Sequence, residues 1–437
     1  MNFRRLSKIV LLSAAATALS SSVYAQGHPI MPGPVDPGDA RTHAWVADVL
    51  TPNVSVVHGP GQACGVSANN VCYYNPIDIQ TAYAVSSIAH GNGGAGMTVA
   101  VVDAYYNSQT ESDLAIYSAA FGLPACTIAT GCLTIVGQTG TVCPTGCTSS
   151  TTFTAAGWAL ETDLDIESVH AMAPNAHILL VTANSASFAN LGAAVLYAQT
   201  HADVVTNSYG ANEGAGESAL DTYYSGSAVP ILFSAGDTGA VTEYPCVSTY
   251  VVCVGGTHLI ETATSFRNVE GAWGGSDTSG GGGGGCSSQI PQPSFQSGFA
   301  TICGSSRGVP DVAALADEYT GWDTYLGSFA ALGLSSGCTP TLCPAGGYVI
   351  GGTSLASPLT AGIIAVIDGD RVFNGKSKLG ANLNALLYQS AATSYHYRYY
   401  DSTTGTNGFT AVAGWDRATG LGVILGPSLA AYLVTLP

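Results

Sequence analysis

The chain has 437 residues and a formal net charge of −17, with 28 Asp and Glu against 11 Lys and Arg. Only 9% of its residues are charged, well below the ~25% of an ordinary soluble domain. With so few basic groups there is no cationic patch for a phosphate backbone, so the composition excludes nucleic acid as a partner. The scarcity of ionic groups suits acidic surroundings, because protonating the carboxylates then builds up little positive self-repulsion.

Residues 1–25 have the pattern of a secretory signal. A basic start is followed by a short apolar core at 9–19, and Ala25 is a small residue suited to cleavage before Gln26. The core is too short to span a bilayer, and no later uncharged run is long enough. We therefore expect an exported protein, extracellular or periplasmic, with no membrane association after the signal is removed.

Twelve cysteines follow the predicted signal, and an even number in an oxidising compartment indicates disulfides. Local pairing of close neighbours is the simplest arrangement, although the sequence leaves the connectivity open. A metal site at Cys143 and Cys147 is the alternative, but no second pair of this kind or nearby histidine completes it. The simplest pairs are Cys64–Cys72, Cys126–Cys132, Cys143–Cys147, Cys246–Cys253, Cys286–Cys303 and Cys338–Cys343.

Residues 26–72 are rich in Gly, Pro, Asn and Val with little helical periodicity, and we expect an N-terminal arm or short leader there. From residue 73 onward, apolar β-rich runs alternate with helical patterns, which predicts a single large catalytic domain over 73–437. This alternation is typical of an α/β fold with a mostly parallel central sheet covered by helices on both faces. The predicted elements are a strand at 97–103, helical segments at 113–121 and 155–174, a strand at 177–182, a helix at 188–200, and strands at 203–208, 229–234 and 250–254.

Ligands of parallel sheets bind beyond the carboxyl ends of the strands. Ser208, Asp237 and the turn before Ser354 all directly follow apolar runs, so we expect the chemistry at that edge of the sheet. The glycine run at 280–285 predicts a flexible surface loop, and a loop that shapes the binding cleft is the alternative.

The segment Gly351–Pro358 presents a serine in the way that a nucleophile requires. Small residues permit a tight turn before Ser354, and the Ser/Ala/Pro sequence after it can begin a helix. A helix start directs backbone N–H groups at an oxyanion that forms beside it. An ordinary polar loop could have the same sequence. Whether Ser354 is a nucleophile therefore depends on which residues can act as its partners.

Histidine does not occur in the sequence context expected for the base. None of the nine histidines is followed by Gly-Thr, as the base of a subtilisin usually is. His90 comes nearest, but it precedes the strand that ends at Asp103, which is the wrong order for that family. Asp103 is therefore interpreted as a structural carboxylate at a strand end.

A pair of acids offers the alternative base. Glu161 and Asp165 are four residues apart and share one helix face, whereas Asp163 and Glu167 point elsewhere. Two adjacent carboxylates cannot both ionise cheaply, so the pair retains a proton. Glu161 can then take the proton of Ser354 and return it to a leaving amine. A solvated surface pair is the alternative interpretation.

A third carboxyl group lies in the turn Ser234–Gly239, directly after a predicted strand. If Asp237 is protonated, it can donate a hydrogen bond to a developing oxyanion. The alternative is an aspartate that only stabilises the turn, a frequent role beside glycine.

Taken together, these motifs resemble the sedolisins, the serine-carboxyl peptidases of subtilisin-like fold, from about Tyr73 to the C-terminus. Each motif alone is weak to moderate, whereas the ordered set is specific. The matching segments are Tyr74–Tyr83, Glu161–Ala176, Asn207–Glu213, Ser234–Gly239, Arg307–Ala313 and Gly352–Pro358.

The resemblance implies a secreted endopeptidase that acts on peptides or proteins at acidic pH, and we expect a monomer. It assigns Ser354 as the nucleophile of an acyl-enzyme, Glu161 as general base and acid, and Asp165 as the residue that orients Glu161. Asp237 would line the oxyanion hole. The residues along the bound peptide would be Ser208, Tyr209 and Gly210.

The family also carries a structural calcium ion near its C-terminus, and the resemblance implies one Ca²⁺ here. Asp401 and Asp416 would supply carboxylates, while Ser402, Val412 and Gly414 would supply carbonyl groups. Oxygen ligands of this kind suit Ca²⁺. Val412 stands where the family commonly has glycine.

Two other functions remain open. A catalytically silent sedolisin-like protein would hold peptides in the same cleft, but this chain retains Glu161, Asp165, Asp237 and Ser354. A subtilisin-type or lipase-like hydrolase would need a histidine base, and the missing His-Gly-Thr sequence argues against it.

Overall fold

The computed structural model describes residues 28–29, 38–46, 55–58, 70–149, 153–262, 265–275, 280–327 and 348–437. The predicted signal at 1–25 lies outside these ranges. The predicted pairs Cys64–Cys72 and Cys338–Cys343 lie outside the side chains that are described. None of the described helices is both long and apolar enough to cross a bilayer.

Strands and helices alternate through most of the described chain. The strands are β1 (His28–Pro29), β2 (Arg41–Thr42), β3 (Trp45–Val46), β4 (Ser55–His58), β5 (Asn70–Tyr74), β6 (Thr98–Ala104), β7 (Leu133–Gly137), β8 (His177–Ala183), β9 (Val204–Asn207), β10 (Tyr209–Asn212), β11 (Ile231–Ser234), β12 (Glu243–Tyr244), β13 (Val252–Thr262), β14 (Ser265–Ala272), β15 (Gly285–Pro291), β16 (Ser306–Val309), β17 (Val312–Leu315), β18 (Thr320–Thr324), β19 (Tyr348–Gly351), β20 (Tyr399–Tyr400) and β21 (Val423–Ile424). The α-helices are α1 (Pro76–Ala82), α2 (Thr110–Phe121), α3 (Phe153–Met172), α4 (Phe188–Ala198), α5 (Thr353–Phe373), α6 (Leu383–Arg398) and α7 (Gly426–Leu433). Short 3₁₀ turns occur at Val85–Ser87, Asn92–Gly94, Glu217–Tyr223, Ser294–Gln296 and Thr301–Cys303.

The central sheet runs in the order β20-β21-β17-β13-β11-β9-β6-β8-β7, with β14 added on β13. All pairs from β21 to β7 along this order are parallel, whereas β20 and β14 are attached antiparallel. A mostly parallel sheet of this kind must bury both faces. The predicted α/β, subtilisin-like architecture is confirmed.

Strand β6 shows how the two faces are covered. Val99 and Val101 pack in one hydrophobic cluster with Leu164 of α3 and with α5. Ala100 and Val102, which alternate with them and face the other way, pack in a second cluster with α4. The sheet therefore lies between α3 and α5 on one side and α4 on the other.

The described parts of the predicted N-terminal arm pair with strands of the predicted domain at 73–437. A second sheet has the order β1-β3-β19-β18-β5-β4, so β19 pairs with the arm strand β3 and β18 pairs with β5. A three-stranded sheet has the order β12-β10-β2, which brings the arm strand β2 onto β10. These pairings carry the arm across the carboxyl edge of the central sheet.

Four of the predicted disulfides are present, and the metal alternative at Cys143 is excluded because that residue is bonded to Cys147. The Cα atoms of the paired cysteines are 4.8 to 5.3 Å apart, within the usual range. The pairs are Cys126–Cys132, Cys143–Cys147, Cys246–Cys253 and Cys286–Cys303.

The prediction of a flexible surface loop at 280–285 is wrong. Residues 281–285 are buried, and their backbone packs directly against other backbone. A Cβ atom added at Gly283 would lie 1.9 Å from the carbonyl oxygen of Ala235, and one at Gly282 would lie 2.8 Å from the nitrogen of Gly256. Glycine is needed here for close approach.

Candidate active site

Ser354 occupies the second position of α5, directly after the tight turn that leaves β19. The turn depends on Gly352, whose φ of +98° lies in the region that favours glycine. A Cβ atom at this position would lie 1.8 Å from the carbonyl oxygen of His43. The absence of a side chain therefore allows a peptide carbonyl to reach the start of the helix.

Pro358 explains a contact of the Ser354 backbone. A proline four residues later has no N–H, so the Ser354 carbonyl lacks its usual helical donor. The hydroxyl of Ser208 lies 3.3 Å from that carbonyl and 2.8 Å from Oδ1 of Asp165. Ser208, directly after β9, thus connects the start of α5 to the acid pair on α3.

Glu161 and Asp165 are fully buried one turn apart on α3, which excludes the solvated-pair alternative. Burial raises the pKa of Glu161 well above its ordinary value, and the charge of Asp103 raises it further. The nearby hydroxyl of Ser354 lowers it, but less strongly. The pKa of Asp165 is also raised, by burial first and then by Asp103 and Glu161. The pair therefore holds a proton well above the pH at which a free carboxylic acid would lose it.

The sequence interprets Asp103 as a structural carboxylate at a strand end, and the structure also places its charge near Glu161 and Asp165. It is fully buried at the end of β6, and burial raises its pKa to about 7. The parallel register pairs Val102 with Asn207, so Asp103 lies beside the strand end that carries Ser208. The structure thus adds a third carboxyl group to the pair of Glu161 and Asp165.

Asp237 follows β11 and faces the N-terminus of α5. Its Oδ1 accepts hydrogen bonds from the backbone N–H of Thr353 at 2.8 Å and from the Thr353 hydroxyl at 2.7 Å. Its Oδ2 is buried without a hydrogen-bond partner among the described residues. Burial raises the pKa of Asp237 to about 7, so in acid the carboxyl group is protonated and can donate.

A histidine does reach the serine, although not as a base. The backbone N–H of His43 donates to Ser354 Oγ at 3.1 Å, and the Ser354 N–H donates to the His43 carbonyl at 3.3 Å. The His43 ring instead contacts Ser234 Oγ at 2.7 Å and Glu243 Oε2 at 2.9 Å. Sequence reasoning missed His43, because no local pattern connects residue 43 to residue 354.

The arm also occupies the strand predicted to line the peptide. Arg41 pairs with Gly210 and Thr42 with Tyr209 in antiparallel register. Beyond the arm, a cavity of about 600 Å³ remains between Glu243, Asp237 and the turn at 406–408. The site therefore binds an extended segment on the β10 side and leaves further space beside it.

The predicted calcium ligands lie around one turn. Asp401 Oδ2 accepts from the N–H of Gly414 at 3.0 Å, and Asp416 Oδ2 accepts from the N–H of Val412 at 2.9 Å. The hydroxyl of Ser402 is buried without a hydrogen-bond partner in the part of the chain that is described. Asp401 thus contacts the turn at 411–416 that ends in Asp416. Two carboxylates beside this turn, with the unpaired hydroxyl oxygen of Ser402 next to Asp401 in sequence, fit the oxygen donors that Ca²⁺ prefers.

A mostly parallel α/β sheet, with a serine at a helix start and buried carboxyl groups at neighbouring strand ends, is the arrangement of a subtilisin-like fold. A profile described as the subtilase family matches residues 152–422, more than half of the chain. The chain belongs to the subtilase family and, within it, to the sedolisins.

Two curated relatives and one solved structure show the same relationship. Kumamolisin from Bacillus sp. (strain MN-32) is 30% identical over 389 residues, which cover 81% of this chain and 62% of kumamolisin. Tripeptidyl-peptidase 1 from Mus musculus is 29% identical over 236 residues, covering 47% of this chain and 37% of that protein. The chain thus spans less than two thirds of the length of these relatives.

The fold itself matches the structure of Pseudomonas sedolisin, a serine-carboxyl proteinase complexed with two molecules of pseudo-iodotyrostatin. The TM-score is 0.66 at 24% sequence identity, and the match covers 84% of this chain and 99% of that chain. At this identity the match supports the shared fold.

Proposed function

We propose that the protein is a secreted serine-carboxyl endopeptidase that hydrolyses peptide bonds at acidic pH. One observation carries the proposal: a peptide carbonyl, that of His43, accepts a hydrogen bond from the N–H of Ser354. It lies close to the unpaired oxygen of Asp237, because both oxygens come within 3 Å of a single point above Gly352. A carbonyl held between these groups is in the position where a tetrahedral oxyanion would form.

The reaction uses the buried acids in sequence. Glu161 takes the proton of the Ser354 hydroxyl as its oxygen attacks the carbonyl carbon, and Asp165 orients Glu161 and shares its proton. The Ser354 N–H and protonated Asp237 stabilise the oxyanion. Glu161 then returns the proton to the leaving amine, and water hydrolyses the acyl-enzyme by the same steps in reverse order.

Peptide binding would use the edge of β10. An extended substrate would pair with Tyr209 and Gly210 as β2 does, and Ser208 would hold the acid pair behind it. The arm continues past Ser354 and pairs on the other side with Gly351 of β19. A cleft that accepts chain on both sides of the nucleophile favours cleavage within peptides, hence an endopeptidase.

The surroundings of the enzyme follow from its chemistry. Disulfides favour an oxidising compartment outside the cytosol, and we propose that the protein acts there as a monomer. Asp401 and Asp416, with carbonyls of Ser402, Val412 and Gly414, would hold one structural Ca²⁺. That ion would stabilise the C-terminal turn and take no part in the chemical step.

A peptide-library digest at acidic and neutral pH tests the proposal. Wild type should cut within peptides in acid, while Ser354→Ala should lose at least ~10³-fold in rate and keep its melting temperature. Ser357→Ala is a matched control, because this serine lies on the same helix and contacts Thr206 instead of the acids. Unimpaired cleavage by Ser354→Ala would overturn the proposal.

A catalytically silent peptide-binding protein is the second candidate, favoured by the arm that already fills the cleft. It predicts that the wild-type protein binds library peptides in acid and returns them uncut.

A further inference from the structure

A group of side chains that can bind a metal ion lies outside the candidate active site. Cys126 and Cys132 belong to the loop between α2 and β7, and His170 lies in the last turn of α3. The two sulfur atoms and one ring nitrogen of His170 all lie within 4.8 Å of one another. Among the described residues, no other disulfide has a histidine in such a group.

The imidazole ring of His170 has a lone pair without a partner. Its Nε2 lies 2.8 Å from the carbonyl oxygen of Pro124, which can only accept a hydrogen bond, so Nε2 carries the ring proton. Burial lowers the pKa of His170 and favours the neutral ring, whose lone pair is then on Nδ1. That atom is buried and has no hydrogen-bond partner in the described part of the chain. A histidine that binds a metal commonly donates its other ring nitrogen to a carbonyl group in the same way, which fixes the ring.

The disulfide prevents the two sulfur atoms from satisfying this nitrogen. Cys126 and Cys132 are bonded to each other, so neither sulfur has a proton to donate or a negative charge to attract a cation. Opening the bond provides two thiol groups beside a neutral imidazole. Two cysteines and one histidine are a ligand set that binds Zn²⁺ in proteins, with water in the fourth position.

A cavity gives a reductant and water access to this group. Cys132 is half-buried and lines a cavity of about 310 Å³ together with Pro124, Pro174 and His177. Cys126, by contrast, is fully buried. A reductant can therefore attack the sulfur of Cys132 first. The same cavity can supply the water that completes a zinc site of three protein ligands.

We propose that Cys126, Cys132 and His170 form a zinc site once a dithiol has opened their disulfide. One sulfur of the dithiol bonds to Cys132 and releases Cys126, and its second sulfur then bonds to the first and releases Cys132. The dithiol is oxidised to a cyclic disulfide, while the chain gains two electrons and two protons as two thiols. Zn²⁺ displaces these two protons and binds both sulfurs and Nδ1 of His170. The site does not depend on the proposed peptidase function.

The ion would connect two elements that the disulfide does not join. The disulfide links two residues of one loop, six positions apart. The ion would also attach this loop to α3, the helix that carries Glu161 and Asp165. Zn²⁺ should therefore restore the melting temperature that reduction lowers. Because both thiols must lose a proton to bind, the affinity for Zn²⁺ should decrease as the pH falls, and the site should be empty in acid.

The test treats the full chain at neutral pH with a dithiol until Cys126 and Cys132 can be alkylated, as followed by mass spectrometry. The dithiol is then removed, and the chain is titrated with Co²⁺ as a visible probe of zinc sites. We expect one Co²⁺ per chain with thiolate-to-cobalt charge-transfer absorption, which the oxygen ligands of the predicted calcium site cannot produce. Added Zn²⁺ should abolish this absorption, and the oxidised chain should never show it.

Two histidine variants separate the proposed ligand from its surroundings. His170→Gln keeps a donor for the Pro124 carbonyl but has no ring lone pair. It should weaken Zn²⁺ binding by at least ~100-fold, because substitution of residues that only support a ligand already costs up to that much. His177→Gln is the matched control, since His177 lines the same cavity but its ring contacts the hydroxyl of Thr134 at 2.9 Å. This variant should bind Zn²⁺ like the wild-type protein.

Two results would overturn the proposal directly. One is a chain with open Cys126 and Cys132 that shows no thiolate–cobalt absorption, and the other is equal Zn²⁺ affinity in wild type and His170→Gln. If reduction opens every disulfide and unfolds the chain, reduction in the presence of Zn²⁺ still decides. Cys126 and Cys132 should then resist alkylation while Cys246 and Cys253 react, and equal reaction of all four would overturn the site.

Discussion

The N–H of Ser354 donates to the carbonyl of His43 across 3.3 Å, so the amide of the proposed nucleophile already holds a peptide carbonyl. The other group beside that carbonyl is the carboxyl of Asp237, which keeps one oxygen free of hydrogen bonds from the described residues. An oxyanion hole built from an amide and a carboxylic acid works only while the acid keeps its proton. The pH dependence of the site should follow from this requirement.

Substitution of Asp237 should change both the rate and its pH profile. Burial raises the pKa of Asp237 to about 7, so the donor is lost and activity falls as the pH rises through that value. Asp237→Ala removes the donor and should cost ~10²–10³-fold in kcat. Asp237→Asn keeps an acceptor for Thr353 and a donor that does not titrate, so its kcat should fall less than that of Asp237→Ala. The pH at which its activity declines should also be higher than in wild type.

Profiles of kcat/KM against pH for one peptide measure this directly. If the alkaline decline of Asp237→Asn coincides with that of wild type, another acid sets it. Asp103, buried beside the acid pair with a pKa of about 7, would then be the group to replace.

The sequence located the proposed chemistry where strands end. Ser208 and Asp237 follow β9 and β11 of the central sheet, whereas Ser354 follows β19 of the second sheet. Hydrogen bonds from Ser208 to the Ser354 carbonyl and from Thr353 to Asp237 bring the three segments together. The spacing of Glu161 and Asp165 likewise sufficed to place them on one helix face. These inferences needed only local patterns, namely apolar runs and helical spacing, which can be recognised in a single sequence.

Contacts between distant segments could not be obtained in this way. Asp103 joins the acid pair through the register of β6 on β9, and the arm reaches Ser354 across 311 residues. The glycine run at 280–285 is compatible with either a flexible loop or close backbone packing. Close packing becomes evident only in the structure, where Gly283 lies against the backbone of Ala235. Such choices depend on the assembled sheet.

The other two acids of α3 should make the fold most stable in acid. Asp163 and Glu167 are fully buried, and burial raises the pKa of both well above the ordinary range. In the unfolded chain these groups ionise near pH ~4. The contribution of these raised pKa values to the free energy of unfolding is therefore complete below that pH. It is lost as the pH rises towards the pKa values of the two groups in the folded state.

Glu167→Gln should flatten this dependence. Glutamine retains an acceptor for the N–H of Tyr325, now 3.0 Å from Oε2, but cannot ionise. At neutral pH the variant should melt higher than wild type, by ~2 °C for each kcal/mol recovered, while in acid the two should coincide. Calorimetry across pH measures the effect.

Glu111→Gln is the matched control, because Glu111 also accepts from a backbone N–H, that of Ile128, but lies on a partly exposed helix. An equal effect of both substitutions would show that burial of Glu167 is not the cause.

Removal of calcium should lower the melting temperature. A ligand bound at about one hundred times its Kd stabilises the native state by ~2.7 kcal/mol, which a chelator would withdraw. Asp401→Asn keeps an oxygen for Gly414 but loses the charge that a cation needs, so its melting temperature should not respond to chelator. Re-addition of Ca²⁺ should restore the melting temperature of the wild-type protein only. A wild-type melting temperature that does not change with chelator would refute the site.

Glu243 should select basic side chains before the cleaved bond. Oε2 of the buried Glu243 lies 2.9 Å from the His43 ring. Burial lowers the pKa of His43, but the charge and hydrogen bond of Glu243, together with the charge of Asp237, outweigh burial and leave that pKa raised. A cationic side chain of a substrate would gain the same contact. Peptides with Arg or His before the bond should therefore be cut faster than matched peptides with Leu or Gln.

Kinetics on a peptide series that differs only at that position give the measurement. Glu243→Gln should reduce kcat/KM for the Arg peptide by about tenfold, the effect of one charged hydrogen bond, and change the Leu peptide little. The Leu peptide is thus the internal control for damage to the catalytic groups. An equal loss on both peptides would show that Glu243 supports the fold of the cleft and does not recognise charge, since only a charge contact distinguishes the two substrates.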